Sequence, residues 1–158
     1  MTTQNIFKQV NGNIVKLVSI PAVNALLALT ARLLASAIFI GAGFSKLGAG
    51  YAGAQGYMAS VGLPGELLPL VIALEMGGGL ALLLGFQARL VAFALSVFCI
   101  VSGVLFHSGA DPMQQIMFMK NLAMAGGLLA FTLFGAGRMS LGKQKLSFLT
   151  LNRSPTTY

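Results

Sequence analysis

Four long apolar stretches run through this chain of 158 residues, and three of them carry a charge near mid-span: Arg32, Glu75 and Lys120. A run of that length identifies the solvent, because about 20 residues of helix cross the hydrocarbon core of a bilayer. Inside that core no water satisfies the backbone, so a spanning segment must bond to itself as a helix or close into a barrel. A charge at the bilayer centre costs about 2.5–3.5 kcal/mol on insertion scales. Such residues turn towards other protein, pair up, and mark a working site.

Composition supports the same solvent. Apolar residues make up 56% of the chain and charged residues only 8%, against about 25% charged in an ordinary soluble domain. A water-soluble fold would lack the polar surface to cover its core. The net charge of +7 would suggest nucleic acid in a soluble domain. Here the basic residues sit at span ends and in the tail, where they set topology and meet anionic lipid; nucleic acid is not an expected partner. Cys99 is the only cysteine and His107 the only histidine. An internal disulfide, a redox CxxC pair, a thiolate metal site and bis-histidine haem ligation are excluded. No metal and no covalently bound cofactor is expected, so redox chemistry would need a diffusible cofactor or a partner's.

Residues 1–18 interleave Ile6, Phe7, Val10, Ile14 and Leu17 with Lys8 and Lys16. The spacing suits an interfacial amphipathic helix; a frayed terminus is the alternative. A domain of four transmembrane helices is expected over 19–142, with spans at about 21–44, 66–84, 88–106 and 113–134. Residues 45–65, rich in Gly, Ala and Ser, read as a loop closed by the turn Gly62-Leu63-Pro64-Gly65. A basic tail follows over 143–158. Lys8, Lys16, Arg89, Arg138, Lys143, Lys145 and Arg153 fall on one side of this arrangement and only Lys46 on the other. The positive-inside rule then places both termini in the cytoplasm. The expected fold is all-α, an integral-membrane four-helix up-down bundle. Gly77, Gly78, Gly79, Gly126 and Gly127 are the residues expected to let its helices approach closely.

Counted along the spans at about 1.5 Å per residue, Glu75 and Lys120 lie some 12–14 Å below the outer boundary and Arg32 about 18 Å below it. Those depths allow a bidentate Arg32–Glu75 pair. Lys120 then leaves two cations against one anion. A neutral amine, helix-end carbonyls with Asn121, or an anionic or carbonyl-bearing ligand would each balance the set. Ser96, Cys99, Gly103 and His107 recur at helical spacing and form a face suited to lining a cavity, with His107 at its outer mouth. The candidate ligand-binding residues are Arg32, Glu75, Lys120, Asn121 and His107. Each has a plainer reading: a structural clasp for Arg32–Glu75, snorkelling for Lys120, a lip residue for His107, core packing for Cys99.

Arg32-Leu33-Leu34 followed by Gly43-Phe44-Ser45-Lys46-Leu47 resembles the first-helix signature of the DoxX family. Tyr57 to Pro64 resembles its external loop. Glu75 with Gly78-Gly79, Gly85 and Arg89 resembles its second helix and the turn beyond, and Lys120-Asn121-Leu122 its fourth helix. The resemblance covers about residues 30–142. It implies a small bacterial inner-membrane protein of four helices, some of whose relatives are subunits of quinone-linked oxidoreductases. The functional expectation is a quinone-interacting or redox-associated membrane subunit. A non-catalytic scaffold or accessory subunit, in contact with other membrane subunits or with its own copies, is the alternative, and small-solute permeation a further one.

Overall fold

The computed structural model describes residues 2–137, 140 and 141. The basic tail expected over 143–158, and with it Arg138, lies outside the described residues. The elements are α1 (Thr3–Ser19), α2 (Pro21–Ser45), α3 (Gly50–Ser60), α4 (Gly65–Leu84), α5 (Ala88–His107) and α6 (Pro112–Phe134). Of these, α2, α4, α5 and α6 are long and apolar enough to cross a membrane.

Local chemistry sets the element ends. Ile20 is extended (φ −62°, ψ 123°) and Pro21 opens α2, where a ring without an N–H costs nothing because the first helical amides have no partner anyway. Gly85 ends α4 at φ +72°, and the amide of Phe86 bonds back to the Ala81 carbonyl at 2.8 Å. That six-to-one closure is a Schellman stop, which needs a left-handed residue and so favours glycine. Asp111 caps α6, its carboxylate accepting from the amides of Met113 at 3.0 Å and Gln114 at 3.3 Å; Pro112 takes the first helical position.

The bundle is held by close approaches at a few small residues. Helices α5 and α6 form a tight hairpin, where a Cβ on Gly103 would fall 3.1 Å from Asn121 Cβ. Helix α4 lies against α2 at Gly79, where a Cβ would meet Ile40 Cγ1 at 2.8 Å, and against α5 at Gly78, whose neighbour is Leu95. Leu82, Ala92, Leu95, Cys99, Ala125 and Leu128 fill the interior. Leu34, Leu70, Leu90 and Phe134 point outwards. This inverted surface suits lipid, where apolar side chains have nothing to gain by turning inwards.

Two features depart from the sequence-based expectation. Residues 45–65, expected as a loop, contain α3, a helix with glycine at 50, 53 and 56. Such a sequence has weak intrinsic propensity, and tertiary contact supplies the rest: Met58 is buried, and the Tyr57 ring stacks on Phe106 with centroids 4.9 Å apart. The glycines also divide. Gly78 and Gly79 make close contacts as expected, whereas Gly77, Gly126 and Gly127 have open space where a side chain would stand.

Candidate functional site

The register between α2 and α4 decides which charges meet. Gly43 of α2 sits against Glu75 and Met76 of α4; a Cβ on Gly43 would fall 3.2 Å from Glu75 Cβ and 3.2 Å from the Met76 amide nitrogen. Antiparallel helices so aligned carry Arg32, 11 residues earlier on α2, about 16 Å down the bundle. There its guanidinium packs against the Gly85 turn, 2.5 Å from where a Gly85 Cβ would stand. Arg32 is 1% exposed, so its burial agrees with the sequence reading, but its expected pairing with Glu75 does not hold. Spans flush at the outer boundary would bring Arg32 and Glu75 to similar depths. In the fold, α4 projects past the end of α2 by about two turns, and α3 packs beside the projecting part.

Glu75 pairs instead with Lys46, whose Nζ lies 2.9 Å from Oε1 and 2.8 Å from Oε2. The lysine also donates to the Ala42 carbonyl at 3.1 Å, so the last turn of α2 holds the amine in place. The Glu75 side chain is 6% exposed and that of Lys46 26%. Glu75 stands in a single π turn, Ala73–Gly77, within α4. The glycines at 77 to 79 lower the cost of leaving α geometry, and π turns of this kind recur at functional sites.

A cavity of about 490 Å³ opens beside this ion pair, within the range of small-molecule sites. Ile38, Phe39 and Ala42 of α2, Leu68 and Val71 of α4, Phe98 and Leu105 of α5 and Met124 of α6 give it an apolar wall; Tyr57 and Met58 of α3 roof it. Its polar groups are few: Lys46, Glu75, Ser102, His107, Lys120 and Asn121. Asn121 is buried, donates to the Met117 carbonyl at 3.0 Å, and has Oδ1 3.4 Å from Ser102 Oγ. Lys120 lines the cavity but is exposed, unlike Arg32 and Glu75 and against the expectation that it turns into the bundle; its amine lies 3.2 Å from Met117 Sδ, a weak acceptor. His107 Nδ1 lies 2.8 Å from Gln114 Oε1 at the α5–α6 end of the cavity.

The site therefore gathers Glu75, Lys120, Asn121 and His107 and leaves Arg32 elsewhere. It adds Lys46, read from the sequence as the lone basic residue outside the spans on the outer side. The available signal was reach: a lysine just past a helix end folds its stem back over the last turn. The face Ser96–Cys99–Gly103 is buried in the core rather than in the cavity wall; the neighbouring stripe through Phe98, Ser102 and Leu105 lines the cavity instead.

The DoxX family model matches residues 27–108, about half of the chain. The chain belongs to the DoxX family. It is 47% identical over 116 residues to the inner membrane protein YqjF of Escherichia coli (strain K12), covering 73% of this chain and 88% of that protein. It is also 32% identical over 131 residues to the inner membrane protein YphA of the same organism, covering 78% of this chain and 93% of that protein. No solved structure matches the chain. With four membrane-crossing helices and relatives of these names, this DoxX protein is an inner-membrane protein. The matched region holds Lys46, Glu75, Ser102 and His107, while Lys120 and Asn121 fall beyond it.

Proposed function

We propose that this DoxX protein is a membrane subunit whose cavity takes a lipid-soluble, carbonyl-bearing ligand of the quinone class, as part of a redox-associated assembly. One observation carries the reading: nearly all of the cavity wall is apolar, yet two cations and one anion stand on it. Glu75 is engaged by Lys46 through both carboxylate oxygens. Lys120 has no carboxylate of its own among the described residues, because Asp111 caps α6 and Glu66 is exposed. Lys120 is exposed on the bundle, and once lipid surrounds it an ammonium at that depth is strongly attracted to an acceptor oxygen. A quinone carbonyl brings that oxygen on an apolar ring, and Asn121 offers a neighbouring amide. Lys46 holds Glu75 in place as a clasp between α2 and α4, and His107 with Gln114 forms the polar lip. Binding and orientation are the chemistry that these residues supply. Any electron donor or acceptor would belong to a partner.

Binding to the folded state alone raises stability by RT ln(1 + [L]/Kd), about 2.7 kcal/mol at a ligand concentration of 100 Kd. A short-chain benzoquinone should therefore raise the melting temperature of the protein in lipid nanodiscs. Lys120→Leu should abolish most of that rise without lowering the unliganded melting point. A wild-type protein whose melting is indifferent to quinone would overturn the reading.

One observation favours an accessory role in a larger assembly. Ala123, Gly126, Gly127 and Ala130 are exposed on α6, with open space at both glycines. Small residues on a lipid-facing helix let another helix approach. Gly127→Leu should then displace a co-purifying membrane partner while leaving the monomer's melting unchanged. No change in co-purification would remove this second reading.

We also propose that both termini face the cytoplasm. The segment after α6 returns to the end of the bundle from which α2 starts: a Gly137 Cβ would stand 2.6 Å from Ala28 Cβ, and the amide of Leu141 bonds to the Leu84 carbonyl at 3.1 Å. Arg89 is at that same end, donating to Thr132 O at 3.4 Å. Among the described residues, Lys8 and Lys16 of α1 precede α2 at that end and Lys46 stands at the other, an asymmetry that supports a cytoplasmic side here by the positive-inside rule.

A further inference from the structure

Among the described residues, helix α1 is the one long element that the bundle does not bury. It runs for 17 residues with none of them buried, and Ile6, Phe7, Val10, Ile14 and Leu17 are all about half exposed or more. At 100° per residue these five fall within one third of the helix circumference. Lys8 and Lys16 stand on the opposite side, and α1 contains no acidic residue. An apolar stripe on an unburied helix needs a cover, and three observations say which. The helix ends one residue before α2 enters the membrane, so its C-terminal end lies at the bilayer boundary. Ile20, extended at the junction, breaks the helical path and lets α1 turn away from the axis of α2. The same end of the bundle carries Arg89.

We propose that α1 lies in the plane of the bilayer surface, its apolar stripe sunk to the level of the acyl boundary and its lysines among anionic lipid headgroups. A short apolar stripe alone gives weak, reversible attachment, and anionic lipid strengthens it electrostatically. Two lysines near a negatively charged leaflet should raise the ratio of docked to undocked α1 about thirtyfold. Docking would hold the cytoplasmic end of α2, and with it Arg32, at a fixed height in the membrane.

The chain contains no tryptophan, so Phe7→Trp provides a single reporter in the full-length protein. The variant is reconstituted in nanodiscs of phosphatidylcholine alone or with phosphatidylglycerol. In the anionic discs the reporter should emit at short wavelength, be quenched by lipids brominated on their acyl chains, and be shielded from iodide. Lys8→Gln with Lys16→Gln, or high salt, should cut the shielded fraction to the level seen in phosphatidylcholine. Water-like emission with full iodide access in both disc types would overturn the proposal. So would a blue-shifted reporter that brominated lipid does not quench, which would put α1 against protein instead. Equal shielding in both lipids, unmoved by the lysine changes, would overturn the claim for anionic headgroups.

Discussion

At the scale of single residues, the Lys46–Glu75 pair is asymmetric, and the asymmetry is testable. The carboxylate is nearly sealed, whereas the lysine side chain keeps about a quarter of its surface exposed. Removing one member of a buried pair typically costs about 3–5 kcal/mol, because the other charge is stranded. Lys46→Met strands Glu75 and should show most of that cost. Glu75→Gln strands a lysine at a helix end, which can swing its amine towards the interface, and should cost clearly less. Melting curves in detergent for both variants and the double variant would measure the coupling, expected between about 0.5 and 3 kcal/mol; equal losses for the two single variants would contradict the geometry. The sequence made Arg32 and Glu75 legible as buried charges, because nothing else explains ionisable residues in spans so poor in charge, whereas Lys120, expected with them, is exposed. It did not make their partners legible. Pairing depends on how far one helix slides along the next, and a slide of two turns exchanges Arg32 for Lys46 as the partner of Glu75. Lys46 was not legible as that partner, since nothing local in Phe44-Ser45-Lys46 tells whether the amine turns outwards or back.

At the scale of elements, that slide is fixed by contacts at small residues. Gly79 approaches Ile40 so closely that a methyl group would fall 2.8 Å from Cγ1 and 3.3 Å from the Ile40 backbone nitrogen. Overpacking a tight contact costs about 1–3 kcal/mol. Alanine in place of glycine also gains about 1 kcal/mol of helix propensity, so the two effects oppose each other. Gly79→Ala should lower the melting temperature, the clash outweighing the propensity. Gly126→Ala, with nothing within 4 Å, should be neutral or slightly stabilising. Thermal melting of the pair in one detergent checks both, and a loss for Gly126→Ala as large as that for Gly79→Ala would show that the register has been misread. The four spanning helices were legible because length, apolarity and end signals agree: Pro21, Gly85 and Asp111-Pro112 punctuate the chain where the helices stop and start. Helix α3 was not, since its glycines argue against helix and its support comes from Phe106, far away in sequence.

At the scale of the whole molecule, the inner-membrane bundle holds an apolar chamber with Lys120 on its wall. Topology is the first check at this scale. Alkaline phosphatase fused after the last residue should be inactive and a fluorescent protein fused there should be bright; the reverse pair of results would invert the bundle. Family membership was legible from motifs spread along the chain, and the four-helix membrane fold from its apolar runs. The chamber was not, because it needs α3 as a roof and a staggered α4, and neither is written in any one segment. The most direct measurement is photolabelling. A short-chain quinone with a photoreactive group, irradiated with the protein in nanodiscs, should label peptides around Lys120 and the facing part of α2 near Ala42. Excess unlabelled quinone should suppress that labelling, and Lys120→Leu should abolish it. Labelling that is scattered over the outer faces, or that excess quinone leaves untouched, would contradict a quinone site in the chamber.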